Sequence, residues 1–290
     1  MNPADSAPLP PAPPRFTASA AACAERGNQR IFRGAACASS VSVAEAEAQA
    51  HQLAQQRAEA AADGRISRHL LDRYPYPERT VVEPVKQRVA AATDPAQEIA
   101  RLTVNAYGAT VLNAYAVMFV DVDTTEDTSN TIDEVIVEKR RATEALGRVC
   151  ATRADLRFRV YATKAGLRYL CTSRLFDPVA AETQELMELL LSDKRYRVLC
   201  RVQKCFRARL TPKPWRCQLP PPPAPKGFLG GLKAMLAPRA DSAWVDAADH
   251  FAACRFLEEV GRAAAVDPTA QQIVALHDAL SGALADKPLA

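Results

Sequence analysis

The stretch AVMFVDVDTTED (116–127) runs from apolar residues straight into two carboxylates and then a polar, acidic loop. The unbroken apolar run predicts a buried strand over 114–122. Side chains two apart on a strand share a face, so Asp121 and Asp123 point the same way at its carboxyl end. Oxygen ligands so paired suit a hard cation, Mg²⁺ or Mn²⁺, and the cation offsets the repulsion between them. The competing reading is an ordinary strand exit, with one Asp capping a turn and the other solvated.

Working outward, 131–150 predicts a helix, with Ile132, Val135, Ile136, Leu146 and Val149 at helical spacing and Asp133 and Glu134 in the first turn. LRFRVYAT (156–163) and LRYLCTS (167–173) predict a hairpin turning at Lys164-Ala165-Gly166. Pro178 opens a predicted helix carrying Leu186, Met187, Leu190 and Leu191, and 196–210 predicts a strand. The order is β, α, β-hairpin, α, β. Before this block, Ser42 and Glu45 form a capping box for a helix over 43–63, with Gly64 at its end. Residues 80–89 read as extended, and 99–113 fits helix or strand equally. After the block, Val245, Ala248, Ala252, Phe256 and Val260 form a stripe that predicts one helix. A second begins at Asp267-Pro268 and is expected to bury Ile273, Leu276, Leu280 and Leu284.

Composition divides the chain. Residues 1–40 are rich in Pro, Ala and Ser and predict a disordered tail, and LPPPPAP (219–225) opens a linker over 219–240. Between them, 41–218 predicts an α+β core, and 241–290 a helical C-terminal segment. A hydrophobic fraction of 48% supports a real core, and no run of 18 apolar residues predicts a membrane span. The N-terminus lacks the basic and apolar regions of a secretory signal. Eight cysteines without regular pairing fit reduced thiols, so the expected location is the cytoplasm, with no membrane partner.

The net charge of +4 conceals strong local patterning. KRYRVLCRVQKCFRARLTPKPWR (194–216) carries nine Lys or Arg and no acid, with Tyr196, Phe206 and Trp215 among the charges. As a strand it sets Arg207 and Arg209 on one face, an arrangement suited to nucleotide phosphates or single-stranded nucleic acid. The plainer alternative is a solvated sheet face over buried aromatics.

MFVDVD (118–123) followed by VYATKAGLR (160–168) resembles the catalytic core of the archaeo-eukaryotic primase superfamily, over about 115–212. The resemblance implies an RRM-like βαββαβ core, with Asp121 and Asp123 as catalytic residues that ligate Mg²⁺ or Mn²⁺. It also implies a nucleotide site at Thr163, Lys164, Gly166 and Arg168, to which Arg207 and Arg209 add phosphate contacts. Where the family has a histidine after its glycine this chain has Arg168, and CFRARLT (205–211) carries arginines in place of the family's third acid. The implied function is nucleotide or nucleic-acid binding, with metal-dependent nucleotidyl transfer from a degenerate site. DVDTT (121–125), with YLCTS (169–173), is also similar to haloacid-dehalogenase-type phosphatases, in which Asp121 would be the nucleophile. A third reading is a non-enzymatic basic module that binds nucleic acid.

Other chemistries lack support in the sequence. There is no C-x-x-C for a zinc knuckle, no Walker A or dinucleotide fingerprint, and no G-x-S-x-G. His51, His69, His250 and His277 stand singly outside the block and read as surface or boundary residues.

Overall fold

A computed structural model describes residues 16–27, 29–39, 41–63, 83, 85–105, 108–124, 132–213, 216–217 and 249–290. The protein is mixed α+β, built around two antiparallel four-stranded sheets. The expected linker over 219–240 and residues 1–15 lie outside the described residues. No described helix is long and apolar enough to cross a membrane.

The acid-bearing stretch forms β6 (Phe119–Asp123), at the edge of the first sheet. Before it, residues 110–114 belong to a separate strand, so the apolar run is two elements and a bend. After it comes α2 (Ile132–Thr152), which buries Ala142, Ala145, Leu146 and Val149. The hairpin follows as β7 (Arg157–Thr163) and β8 (Gly166–Cys171), close to the expected bounds. Both β6 and β7 pair antiparallel with β8, so β8 lies between them. Gly166 is fixed by close approach: a Cβ there would meet the Val122 carbonyl oxygen at 1.9 Å. The hairpin therefore sits tightly on the strand that carries the acids.

Two expectations about periodicity are corrected here. Residues 196–210 are not one strand. They form α4 (Lys194–Gln203) and then a short β9 (Phe206–Arg209), after α3 (Ala181–Leu189). Asp193 caps α4 by accepting the Tyr196 N–H at 2.8 Å, and Tyr196, Leu199, Cys200 and Gln203 are buried at helical spacing. Lys204, at φ 51°, turns the chain into β9. The second correction concerns the stripe expected over 245–260, of which 245–248 lie outside the described residues. Its latter part belongs to β10 (Cys254–Gly261), a strand that pairs with β7 and completes the order β10-β7-β8-β6. Within the expected 241–290 helical segment, Cys254–Gly261 thus belongs to the core sheet, and 241–248 lie outside the described residues.

The second sheet runs β3 (Val85–Ala90), β4 (Glu98–Val104), β5 (Thr110–Ala114), β9. It resolves the ambiguous 99–113 stretch as two strands joined at Asn105–Ala109, where the Ala109 N–H reaches the Asn105 side chain. β9 pairs with β5 and so belongs to the second sheet, not to the sheet of the acid-bearing strand. Side chains and backbone of α4 occupy the free edge of β6. The Tyr196 hydroxyl lies 3.3 Å from the Phe119 carbonyl and 2.9 Å from that of Arg207, and the Asp193 N–H donates to the Asp121 carbonyl at 2.9 Å. One tyrosine thereby links the two sheets across the gap that a strand would fill.

The last helix, α5 (Pro268–Ser281), begins as expected: Asp267 accepts from the Thr269 and Ala270 N–H groups. Its buried face differs from the expected one. Ile273 is buried and Leu276 is half-buried, but Leu280 and Leu284 are exposed at 43% and 69%. The positions turned inward are Ala270, Ile273, His277, Asp278 and Ser281. The tail also departs from expectation. Residues 16–39 form an antiparallel hairpin, β1 (Phe16–Arg26) with β2 (Gln29–Ser39). Against it packs α1 (Val43–Ala62), through a small cluster of Ala20, Cys37 and Ala50. The capping box operates in part: the Glu45 N–H donates to Ser42 Oγ at 3.1 Å, while the Glu45 carboxylate takes the Ser39 hydroxyl.

Candidate functional site

The register of β6 against β8 sets Asp121 opposite Arg168 and Asp123 opposite Gly166. Arg168 grips Asp121 through both carboxylate oxygens, Nε to Oδ1 at 2.8 Å and Nη2 to Oδ2 at 3.4 Å. Its remaining nitrogen, Nη1, donates to the Arg209 carbonyl at 3.1 Å and meets His277 Nε2 at 3.4 Å. One guanidinium thus ties together β6, β8, β9 and α5. The arginine is sealed, with 3% of its side chain accessible, while Asp121 keeps 28% open. Burial opposes the charge on Arg168, but Asp121 outweighs it and the pKa moves up, so the cation persists at every working pH.

Asp123 stands in a different state. Although the residue is exposed, the protein around its carboxyl and the nearby Asp121 and Asp193 carboxylates push it up to about 6. Lys213 and Arg209 pull the other way. Asp193, the helix cap, was absent from the expected site; its placement depends on the α4 start, which the strand reading concealed. At the end of β6, then, are one neutralised carboxylate, one open carboxylate and a third acid close by, with Lys213 and Arg209 near.

Behind Arg168 lies a polar network. His277 is fully buried, which corrects its expected surface placement. Burial, opposed by its contact with Asp278, lowers its pKa below the ordinary 6.5, so the imidazole is neutral. Arginine offers only donors, so Nε2 must accept and the proton resides on Nδ1, which lies 3.0 Å from Asp278 Oδ1. The Tyr161 hydroxyl donates to that same oxygen at 2.8 Å and accepts from Arg159 Nε at 2.9 Å. Arg159 reaches Asp278 Oδ2 at 2.8 Å and, across the strand pair, Glu259 at 3.0 Å. Cys254 Sγ is 3.7 Å from His277 Nε2, but burial raises its pKa and leaves it an unreactive thiol. A histidine followed by an acid on the inward face of a capped helix was the available signal for this network.

The other expected site residues divide. Thr163 pairs with Gly166 across the hairpin turn, and Lys164 is exposed at its tip. The Thr124 N–H and hydroxyl both donate to the Ala165 carbonyl, each at 2.8 Å, which holds that turn beside the end of β6. Arg209 contributes its carbonyl to Arg168 and its charge to the surroundings of Asp123. Arg207 is corrected: its guanidinium is buried, bound to both oxygens of Glu83 at 2.7 and 2.9 Å and to Gln203 at 2.8 Å. It serves the second sheet, not the site. The aromatics Tyr196 and Phe206 are buried as well, so neither presents a face for stacking bases.

No family model matches the chain, and no curated protein or solved structure matches it. Among the described residues, no group of three or more His, Cys, Asp or Glu is placed to hold a metal ion. The available donors are therefore two strand carboxylates. Mg²⁺ is commonly held by one or two carboxylates, with water and substrate phosphates completing its shell.

Proposed function

We propose that the protein binds a nucleotide or nucleic acid through a primase-like core, with a divalent cation held by Asp121 and Asp123 as the phosphates arrive. The observation that carries this reading is the convergence on Arg168. Three segments far apart in sequence, the Asp-Val-Asp end of β6, the Ala-Gly-Leu-Arg turn into β8 and the Arg-Ala-Arg of β9, meet around one guanidinium. The first two are the segments on which the resemblance rests, and the third is where the family has its last acid. The run β6–α2–β7–β8, with β8 in the middle of the three strands, agrees with the first part of an RRM-like unit. The last strand of such a unit is replaced at the β6 edge by α4.

The residues present suit a cation that comes with its ligand. Asp123 lies beside two other carboxylates, an arrangement that a bound cation relieves. Asp121 accepts Arg168 closely on one oxygen only, and the carboxylate is partly open to solvent. A cation there would neutralise phosphate charge and polarise phosphoryl oxygens. Arg168 fixes the Asp121 carboxylate, and Lys164 and Lys213 are the nearby side chains suited to phosphates.

The phosphatase alternative needs β8 parallel beside β6, and a free nucleophile. β8 runs antiparallel to β6, and both Asp121 oxygens face Arg168, so the geometry favours the first reading. Calorimetry with ATP and Mn²⁺ on wild type and Asp121→Asn/Asp123→Asn tests it. The expected result is at least a tenfold loss of ATP affinity in the variant when Mn²⁺ is present. Equal affinity would remove Asp121 and Asp123 from any nucleotide site.

A further inference from the structure

The basic run, read as helix, acquires a geometry that it lacked as a strand. Along α4, Lys194, Arg197 and Arg201 follow one another at spacings of three and four, and Lys204 at the C-cap continues the line. Arg195 lies beside its start. Lys194, Arg195, Arg201 and Lys204 are exposed, and among the described residues no carboxylate pairs with any of them. On the rest of the surface some arginines are matched, Arg153 with Asp155 and Arg157 with Glu259, while Arg140, Arg141, Arg148 and Arg262 are exposed singly; on α4 itself Arg197 pairs with Glu188.

The placement of these charges runs against local helix energetics. A helix N-terminus is the positive end of its dipole and favours acids, yet the first turn of α4 contains Lys194, Arg195 and Arg197 and no acid. The Asp193 cap and the Glu188 partner of Arg197 offset part of this charge. Cations kept where the helix itself disfavours them mark a surface shaped by an anionic partner. The line also starts at the candidate site, because the Asp193 N–H holds the Asp121 carbonyl at 2.9 Å.

We propose that the exposed face of α4, through Lys194, Arg195, Arg201 and Lys204, is the track on which the backbone of a single-stranded nucleic acid lies. The inference rests on the nucleic-acid side of the proposed function. The occupant follows from charge complementarity: one line of cations about 15 Å long from the helical rise, unpaired except at Arg197, matches one line of phosphates. Tyr196 and Phe206 are buried beneath it, so contact is with the backbone and not with stacked bases. The binding is therefore sequence-independent and governed by counterion release.

The test uses the full chain and a fluorescein-labelled 20-mer of thymidylate, with anisotropy measured at several salt concentrations. The comparison is wild type against Lys194→Gln/Arg195→Gln/Arg201→Gln/Lys204→Gln. Each lost phosphate contact lowers the salt slope on single strands by about 0.7, so four predict a fall of about 3. Arg195→Lys/Arg201→Lys keeps the charges and should keep the slope; matched melting temperatures exclude unfolding. If wild type binds and the neutralised variant has the same slope, the track is wrong while nucleic-acid binding stands. If wild type prefers a duplex of equal length, or binds phosphatidylserine vesicles and not the oligonucleotide, the proposed occupant is wrong. Nucleotide and Mn²⁺ calorimetry judges the Asp121/Asp123 reading separately in either case.

Discussion

Two arginine–carboxylate pairs tie this molecule together, and they differ in one respect. Glu83–Arg207 in the second sheet is closed on both sides, with 5% and 7% of the side chains accessible. Asp121–Arg168 in the first sheet is closed on the arginine and open on the acid, 3% against 28%. Each carboxylate meets its arginine through both oxygens. A pair sealed on both sides serves only to connect its elements. A pair whose acid faces solvent, two residues from a second acid with a raised pKa, also presents charge to a ligand.

The comparison can be broken from either side. The largest effect expected is from Arg207→Met. It strands Glu83 as an uncompensated buried carboxylate and should cost about 3–5 kcal/mol in urea unfolding. Arg168→Met should cost less, about 1–3 kcal/mol, because water reaches the Asp121 left behind and the main loss is hydrogen bonds to the Arg209 carbonyl and His277. Equal losses would mean that Asp121 is as enclosed as Glu83.

The network behind Arg168 predicts a pH effect of intermediate size. Burial depresses His277 below its ordinary 6.5, so the unfolded chain binds a proton that the folded one refuses. Stability should therefore be complete above about pH 6.5 and decline as pH falls below it. In His277→Gln that part of the decline should disappear; a stability curve with the same slope below pH 6.5 would place the proton elsewhere. The smallest effect on stability is expected from Asp123→Asn. The residue is exposed and solvent screens its neighbours, so the unfolding free energy should stay within the range of ordinary surface substitutions, about ±0.5 kcal/mol. The same variant should lose Mn²⁺-dependent ATP binding, which separates a ligand-facing acid from a structural one.

Much of this was legible in the residues. The helix after Asp-Val-Asp, the hairpin with glycine at its turn and the Asp267-Pro268 cap express strong local rules and formed close to their expected bounds, while the apolar run kept only its last part, 119–123, as the acid-bearing strand. What was misread had competing periods. RVLCRVQ fits an alternating strand, but Tyr196, Leu199, Cys200 and Gln203 also repeat at helical spacing, and the Asp193 cap decides between them. CRFLEEVG fits a helical stripe through Phe256 and Val260, four apart, but pairing with β7 makes it a strand. The Ala-rich 16–39 segment has little side-chain pattern of any kind, so its hairpin depends on backbone pairing that composition does not announce.

The candidate site was half legible. Asp121, Asp123 and Arg168 came from neighbouring motifs, and the register of β6 against β8 brings them together. Arg207 looked equivalent to Arg209 because they are two apart, and only Glu83, distant in sequence, distinguishes them. His277 and Asp193 reach the site by tertiary packing, and a single chain read locally gives no reason to bring either one there.

The most direct test is where a cation binds. Crystals grown with Mn²⁺ and ATP should show an anomalous difference peak within ligand distance of the Asp121 and Asp123 carboxylates, with the triphosphate extending from it. Bound nucleotide with the manganese elsewhere, or no peak beside Asp123 at saturating Mn²⁺, would contradict the account.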